Sequence, residues 1–253
     1  MGRSTRAAGR ILGGFVAAGA IVLGLHGCGS NTLTGEGALT ESDAAAIVAG
    51  AIGSGTSTSG LTSQLEEAVT FASGGSLPKS GTAAGNSVVL LDTIVTRNRT
   101  GLYSYDYWLH LVLDLLTANT LTYRYDMRGT FDTPRLASDD SAHAELSMTD
   151  FASPALRFNG TYTRLGTQTF KSREENSSFS STIVSRLTDI AVEKASRKVT
   201  GGVLDVILTG GFEDGSTVDI TAKVTFRGND LATVVINGKS YEVNLATATV
   251  TPL

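Results

Sequence analysis

From Ser87 onward, apolar and polar residues alternate one by one. In Thr217–Phe226, Val218, Ile220, Ala222, Val224 and Phe226 fall on one side, and Thr217, Asp219, Thr221, Lys223 and Thr225 on the other. Leu121–Asp132 divides in the same way, with Leu121, Tyr123, Tyr125, Met127 and Phe131 opposite Arg124, Asp126, Arg128 and Asp132. A period of two with one apolar face predicts antiparallel sheet, buried on one side and wet on the other. The turns agree. Asn237-Gly238 between two such runs predicts a two-residue hairpin. Glu213-Asp214-Gly215 and Gly228-Asn229-Asp230 predict longer hairpin loops, and residues 195–198 another. The last strands then form a meander in sequence order, and the same rule applied upstream predicts about ten or eleven strands between residues 87 and 250. No long helical pattern interrupts them, which argues against βαβ folds.

Before Ser87 the period is helical. Thr40-Glu41-Ser42-Asp43 is a capping-box pattern, and the Ala-rich run after it predicts a short helix ending near Gly53. A second helix is predicted from Leu61, Leu65, Ala68, Val69 and Ala72 on one face, with Glu66, Glu67 and Thr70 on the other, ending at Gly74-Gly75. The Gly/Ser-rich stretches 53–60 and 74–86 read as a loop and a linker, and residues 28–40 as a flexible tether. Three glycines fall on the apolar side of the β-pattern, each with an aromatic residue two positions on: Gly129 with Phe131, Gly160 with Tyr162, and Gly210 with Phe212. Glycine there lets a strand bend, and an aromatic ring covers the bare backbone. The expected fold is mainly β: a large antiparallel up-and-down meander curved into a half-barrel or barrel, preceded by two short α-helices. A two-sheet sandwich is the alternative. The second helix is suited to serve as a plug or lid.

The N-terminus carries different information. Arg3, Arg6 and Arg10 precede an uncharged run, residues 11–25, which is the layout of a secretory signal. The run is shorter than the ~20 apolar residues needed to span a bilayer. It leads into Leu25-His26-Gly27-Cys28, which holds the only cysteine of the chain. These four residues resemble the lipobox of bacterial lipoproteins. Leu25, Gly27 and Cys28 fit, and His26 departs from the small residue usual there. The resemblance implies cleavage after Gly27, fatty acylation (palmitate) of Cys28, and a division into signal peptide 1–27, lipidated tether 28–40, helical segment 41–86 and β-domain 87–253. With Gly29 after the cysteine, it also implies a cell-envelope location, the outer membrane if the cell is Gram-negative. The plain alternative is an ordinary thiol near the end of a signal peptide. A lone cysteine has no intramolecular disulfide partner in any case.

Without residues 1–27, which hold three Arg and no acid, 17 basic residues face 24 acidic ones, a net charge of about −7. That balance argues against nucleic acid, whose binding rests on cationic contacts to phosphate. If 102–114 and 119–132 pair with residue numbers summing to about 236, His110 faces Asp126 and Trp108 faces Arg128. Those four residues form a candidate binding patch or ordinary surface decoration of a hairpin. His143 falls on the polar face of its strand. Tyr103, Tyr105, Tyr107, Tyr123 and Tyr125 share the inward face, and are either core or the aromatic wall of a ligand cavity. The acids Asp132, Asp139, Asp140, Glu213 and Asp214 lack calcium-loop spacing and read as solvated turn residues, so no metal is expected. Glu174-Glu175 is a weak candidate for a carboxylate pair. No motif for a nucleophile, a phosphate loop or a zinc site occurs, so no cofactor and no catalytic residue is assigned.

Three functions fit these residues. The first is a non-enzymatic, lipid-anchored envelope module that binds an apolar or amphiphilic ligand. It is similar in architecture to the half-barrel carriers of lipoprotein sorting, and Val218–Leu245 looks like domains of uncharacterised bacterial lipoproteins. The second is a structural or interaction lipoprotein that docks an envelope partner through its β-domain. The third is a hydrolase with a site assembled from strand ends.

Overall fold

A computed structural model describes residues 32–33, 39–54, 60–73, 83–84, 87–99, 103–114, 120–132, 136–171 and 178–253. All lie within one unit, Asn31–Leu253. Two helices, α1 (Glu41–Ile52) and α2 (Leu61–Ser73), precede a single antiparallel sheet. Its main strands are β3 (Ser87–Arg99), β4 (Tyr103–Asp114), β5 (Leu121–Asp132), β6 (Leu136–Thr149), β7 (Ala155–Phe170), β8 (Ser178–Glu193), β9 (Val199–Phe212), β10 (Thr217–Gly228), β11 (Leu231–Ile236), β12 (Lys239–Asn244) and β13 (Thr249–Pro252). Each pairs with its neighbour in sequence. Two-residue segments β1 (Thr32–Leu33) and β2 (Ala83–Ala84) join the ladder beside β10 and β3. The hydrogen-bonded sheet takes in thirteen segments, eleven from Ser87 onward and the two-residue β1 and β2 before it. No ladder among the described residues joins its two ends, so the sheet is open and the barrel alternative falls.

The alternation sets the two faces. In β10 every second residue from Val218 to Gly228 is buried and the others are exposed. The core continues through Tyr123, Tyr125 and Met127 of β5, Ala142 to Met148 of β6, and Leu204 to Leu208 of β9. The helices lie on this apolar face. Leu61, Leu65, Ala68 and Val69 of α2 are fully buried, as the helical stripe predicts, and Ala72 packs at its margin. The capping box of α1 forms as expected: Asp43 N–H donates to Thr40 Oγ1 at 3.1 Å, and Thr40 N–H to Asp43 Oδ2 at 3.3 Å.

The carbonyls at the C-terminal end of α1 find donors on the sheet and on α2. Tyr162 Oη donates to Ala51 O at 3.1 Å and Arg164 to Gly50 O at 3.2 Å. Thr62 Oγ1 donates to Ile52 O at 2.6 Å. Last-turn carbonyls have no partner inside the helix, so each of these bonds satisfies a group that burial would otherwise orphan. Ion pairs Glu41–Lys239 and Glu66–Lys198 add contacts between the helices and the strand ends.

Of the bend glycines, Gly160 has φ +144° and sits where the β7–β8 register shifts. A Cβ there would stand 2.2 Å from Glu145 O, so only glycine fits. At Gly210 the ring over the bare backbone belongs to Phe179 of the neighbouring strand, rather than to Phe212 as expected. The Asn237-Gly238 hairpin forms with φ +53° and +77°, the left-handed pair such a turn requires.

One register differs from expectation. Trp108 pairs with Asp126 and His110 with Arg124, a slip of two from the predicted partners. Seven residues separate the last paired positions, Leu113 and Leu121, so no tight turn pins the register.

Candidate functional site

Three rows of side chains cross the outward face of β5, β6, β7 and β8. In the first, Arg124 pairs with Glu145 at 2.9 Å. In the second, Asp126 Oδ1 lies 2.8 Å from His143 Nδ1, with Thr163 next in register. Both members of that pair are about half exposed. In the third, Arg128, Ser141, Leu165 and Thr182 stand side by side. Of the expected patch, Asp126 and Arg128 are therefore both outward, and Asp126 is bonded to His143, which the expected patch did not include. His143 belongs to no sequence motif, and only the β5–β6 register reveals the contact. The side chains of Trp108 and His110, and those of Tyr103, Tyr105 and Tyr107, lie outside the described residues.

Beside the Asp126–His143 pair is an open trough of about 520 Å³. Its walls are Arg128 of β5, Asp139 and Ser141 of β6, Leu165 and Thr167 of β7, and Ser180 and Thr182 of β8. Its floor is the backbone around Asp140, Gly166 and Ser181, where the side chains of Asp140 and Ser181 are buried.

The reverse side of that floor holds a buried polar cluster. Arg164 donates to Asp140 Oδ2 at 2.6 Å, with side-chain exposures of only 3% and 0%. Ser138 Oγ donates to Asp140 Oδ1 at 2.7 Å, and Gln168 Nε2 to Ser138 Oγ at 3.2 Å. The expectation that Asp140 is a solvated turn acid is thus corrected. It sits on the inward phase of β6, with Ala142, Ala144, Leu146 and Met148. Gly166 is its cross-strand partner, and a Cβ there would meet Asp140 Oδ1 at 2.1 Å, so glycine makes the space for the carboxylate. Asp139, Asp132, Glu213 and Asp214 are exposed. Ser216 donates two hydrogen bonds to Asp214 and holds its carboxyl below the usual range.

Tyr123 and Tyr125 are buried at 0% and 1% exposure, with ring centroids 5.9 Å apart. Tyr125 stands 6.3 Å from Tyr162, which the expected aromatic wall did not include. Burial pushes the Tyr162 hydroxyl up, against the pull of Arg164. Cys28 and Glu174-Glu175 lie outside the described residues. Among the described residues, no group of three or more His, Cys, Asp or Glu side chains is placed to hold a metal ion, and no helix is long and apolar enough to cross a membrane.

No family model matches this chain. No curated protein and no solved structure matches it either.

Proposed function

We propose that this is a lipid-anchored bacterial envelope protein, held to a membrane through Cys28, whose β-domain is an interaction module and not an enzyme. The outward face of β5–β8 is its docking surface. The observation that carries this reading is the filled inward face of the sheet from β5 onward, among the described residues. The protein's own helices cover it, with Ile52, Leu61, Leu65 and Val69 fully buried beside Tyr123 and Tyr125. An apolar guest would have to displace a packed pair of helices, and the lost burial of each large side chain costs about 1.5–3 kcal/mol. The outward face demands no such opening.

The test is in intact cells. Globomycin treatment is expected to leave unprocessed precursor, and radiolabelled palmitate to enter wild type but not Cys28→Ala. A photo-crosslinking residue at Thr163 is expected to give one dominant adduct, and one at Ser185, on the buried face, none. Unaltered processing together with absent label would overturn the anchor. Native mass spectrometry that recovers a stoichiometric lipid inside the protein would return the apolar-ligand reading to first place.

A further inference from the structure

We propose that the trough over β6, β7 and β8 binds a neutral saccharide chain. The inference rests on the reading of the outward face as a docking surface, and names the chemistry of what docks there.

The trough is roomy, and its lining is about equally polar and apolar. Its volume, about 520 Å³, falls within the ~300–1,000 Å³ of small-molecule sites. Such sites are mostly apolar, whereas here four walls are hydroxyls: Ser141, Thr167, Ser180 and Thr182. Each hydroxyl both donates and accepts, which is what the hydroxyls of a sugar require of a partner. Arg128 adds donors only and Asp139 acceptors only, and among the described lining residues these two charges cancel. Described side chains without net charge give no preference for phosphate or for a polycation.

A second observation is that these groups are not already engaged with one another. Among the described residues, the side chains of Arg128, Asp139, Ser141, Thr167, Ser180 and Thr182 make no hydrogen bond or ion pair, whereas the adjacent Arg124–Glu145 and Asp126–His143 pairs satisfy one another. The hydrogen-bonding capacity of the trough is thus open to a ligand, as it is at Thr161, Thr163 and Arg186 elsewhere on this face.

A third observation is Leu165. It is 51% exposed, one of three large apolar side chains so exposed among the described residues, and it stands among the hydroxyls. A pyranose ring presents a C–H face as well as hydroxyls, and an aliphatic platform set in a polar wall matches that mixed surface. The arrangement is open to solvent and carries no described aromatic ring for stacking, so the affinity belongs in the millimolar range. A chain of sugars, gripping several hydroxyls at once, fits better than a monosaccharide.

The experiment uses the full-length protein in detergent, with saturation-transfer NMR against chitotetraose, maltotetraose and, as competitor, inorganic phosphate. At least one tetrasaccharide is expected to bind saturably. Ser180→Trp, which fills the trough, is expected to weaken it about tenfold or more. Arg128→Ala, which removes a donor without adding bulk, is expected to weaken it about threefold or more. Thr225→Trp, on the same face of β10, is expected to leave it unchanged, and phosphate is expected not to compete. Absence of saturable binding to both saccharides overturns the inference. So does unchanged binding in both trough variants, or displacement by phosphate. A protein adduct at Thr163 with no saccharide binding would sink the trough and spare the docking surface. Saccharide binding with globomycin-insensitive processing would do the reverse to the anchor.

Discussion

Asp140 and Arg164 form an ion pair that burial makes unequal in its consequences. Both are shielded from water, and Arg164 also serves Gly50 O at the end of α1. Removing one partner strands the other charge in the core, which costs about 3–5 kcal/mol, whereas replacing both by apolar groups of similar size is often neutral or stabilising. Asp140→Ala is therefore expected to lower the unfolding free energy by that much, read from urea melts. Asp140→Leu with Arg164→Met is expected to recover most of the loss, less the bond to Gly50 O. Equal destabilisation in the single and double variants would show that the pair contributes net stability. Gly166 belongs to the same unit, since any larger residue would push against the Asp140 carboxylate.

At the scale of elements, α2 meets the ends of two hairpins through Lys198, which lies 3.3 Å from Glu66 and 3.1 Å from Asp230. Burial pushes the Glu66 carboxyl up, against the pull of Lys198. A carboxyl raised in the folded state holds its proton more firmly there than in the unfolded chain. Its contribution is present below the unfolded value and is lost as pH rises through the raised folded value. As pH falls from neutral through the carboxylate range, wild type is expected to gain stability relative to Glu66→Gln. Denaturant melts at stepped pH read this directly, and parallel curves for the two proteins would contradict it. Both helices are legible in the residue order itself. The α1 cap is a local pattern within four residues, and the α2 stripe recurs within a few turns, so neither needs the rest of the chain. The β4–β5 register is not legible there, because the connection between Leu113 and Leu121 is too long to fix it.

For the whole molecule, the open sheet depends on its helices. Its inward face carries Tyr123, Tyr125, Leu204, Val206 and Leu208, and α1 and α2 lie on that face. A contiguous apolar surface of that kind left bare is an association site. A variant lacking residues 39–73 is expected to self-associate and to bind a hydrophobic dye, as read by light scattering and fluorescence. A monodisperse, dye-silent variant would mean that the sheet covers its own face.

The chain's residue order alone determined which side chains face inward, because strand geometry turns alternate residues to opposite faces whatever the neighbours are. It also determined the sharp Asn237-Gly238 hairpin and the two helices, all of which rest on neighbours in sequence. Even the inward phase of Asp140 was present, masked by its adjacency to Asp139, which suggested an acidic turn. What meets what across strands was decided only in three dimensions. His143 reaches Asp126 across 17 positions, and Arg164 reaches Asp140 across 24. The hydroxyls of the trough come from separate strands as well. Register is a property of paired chains and long loops leave it free, so the site emerges from the assembled sheet.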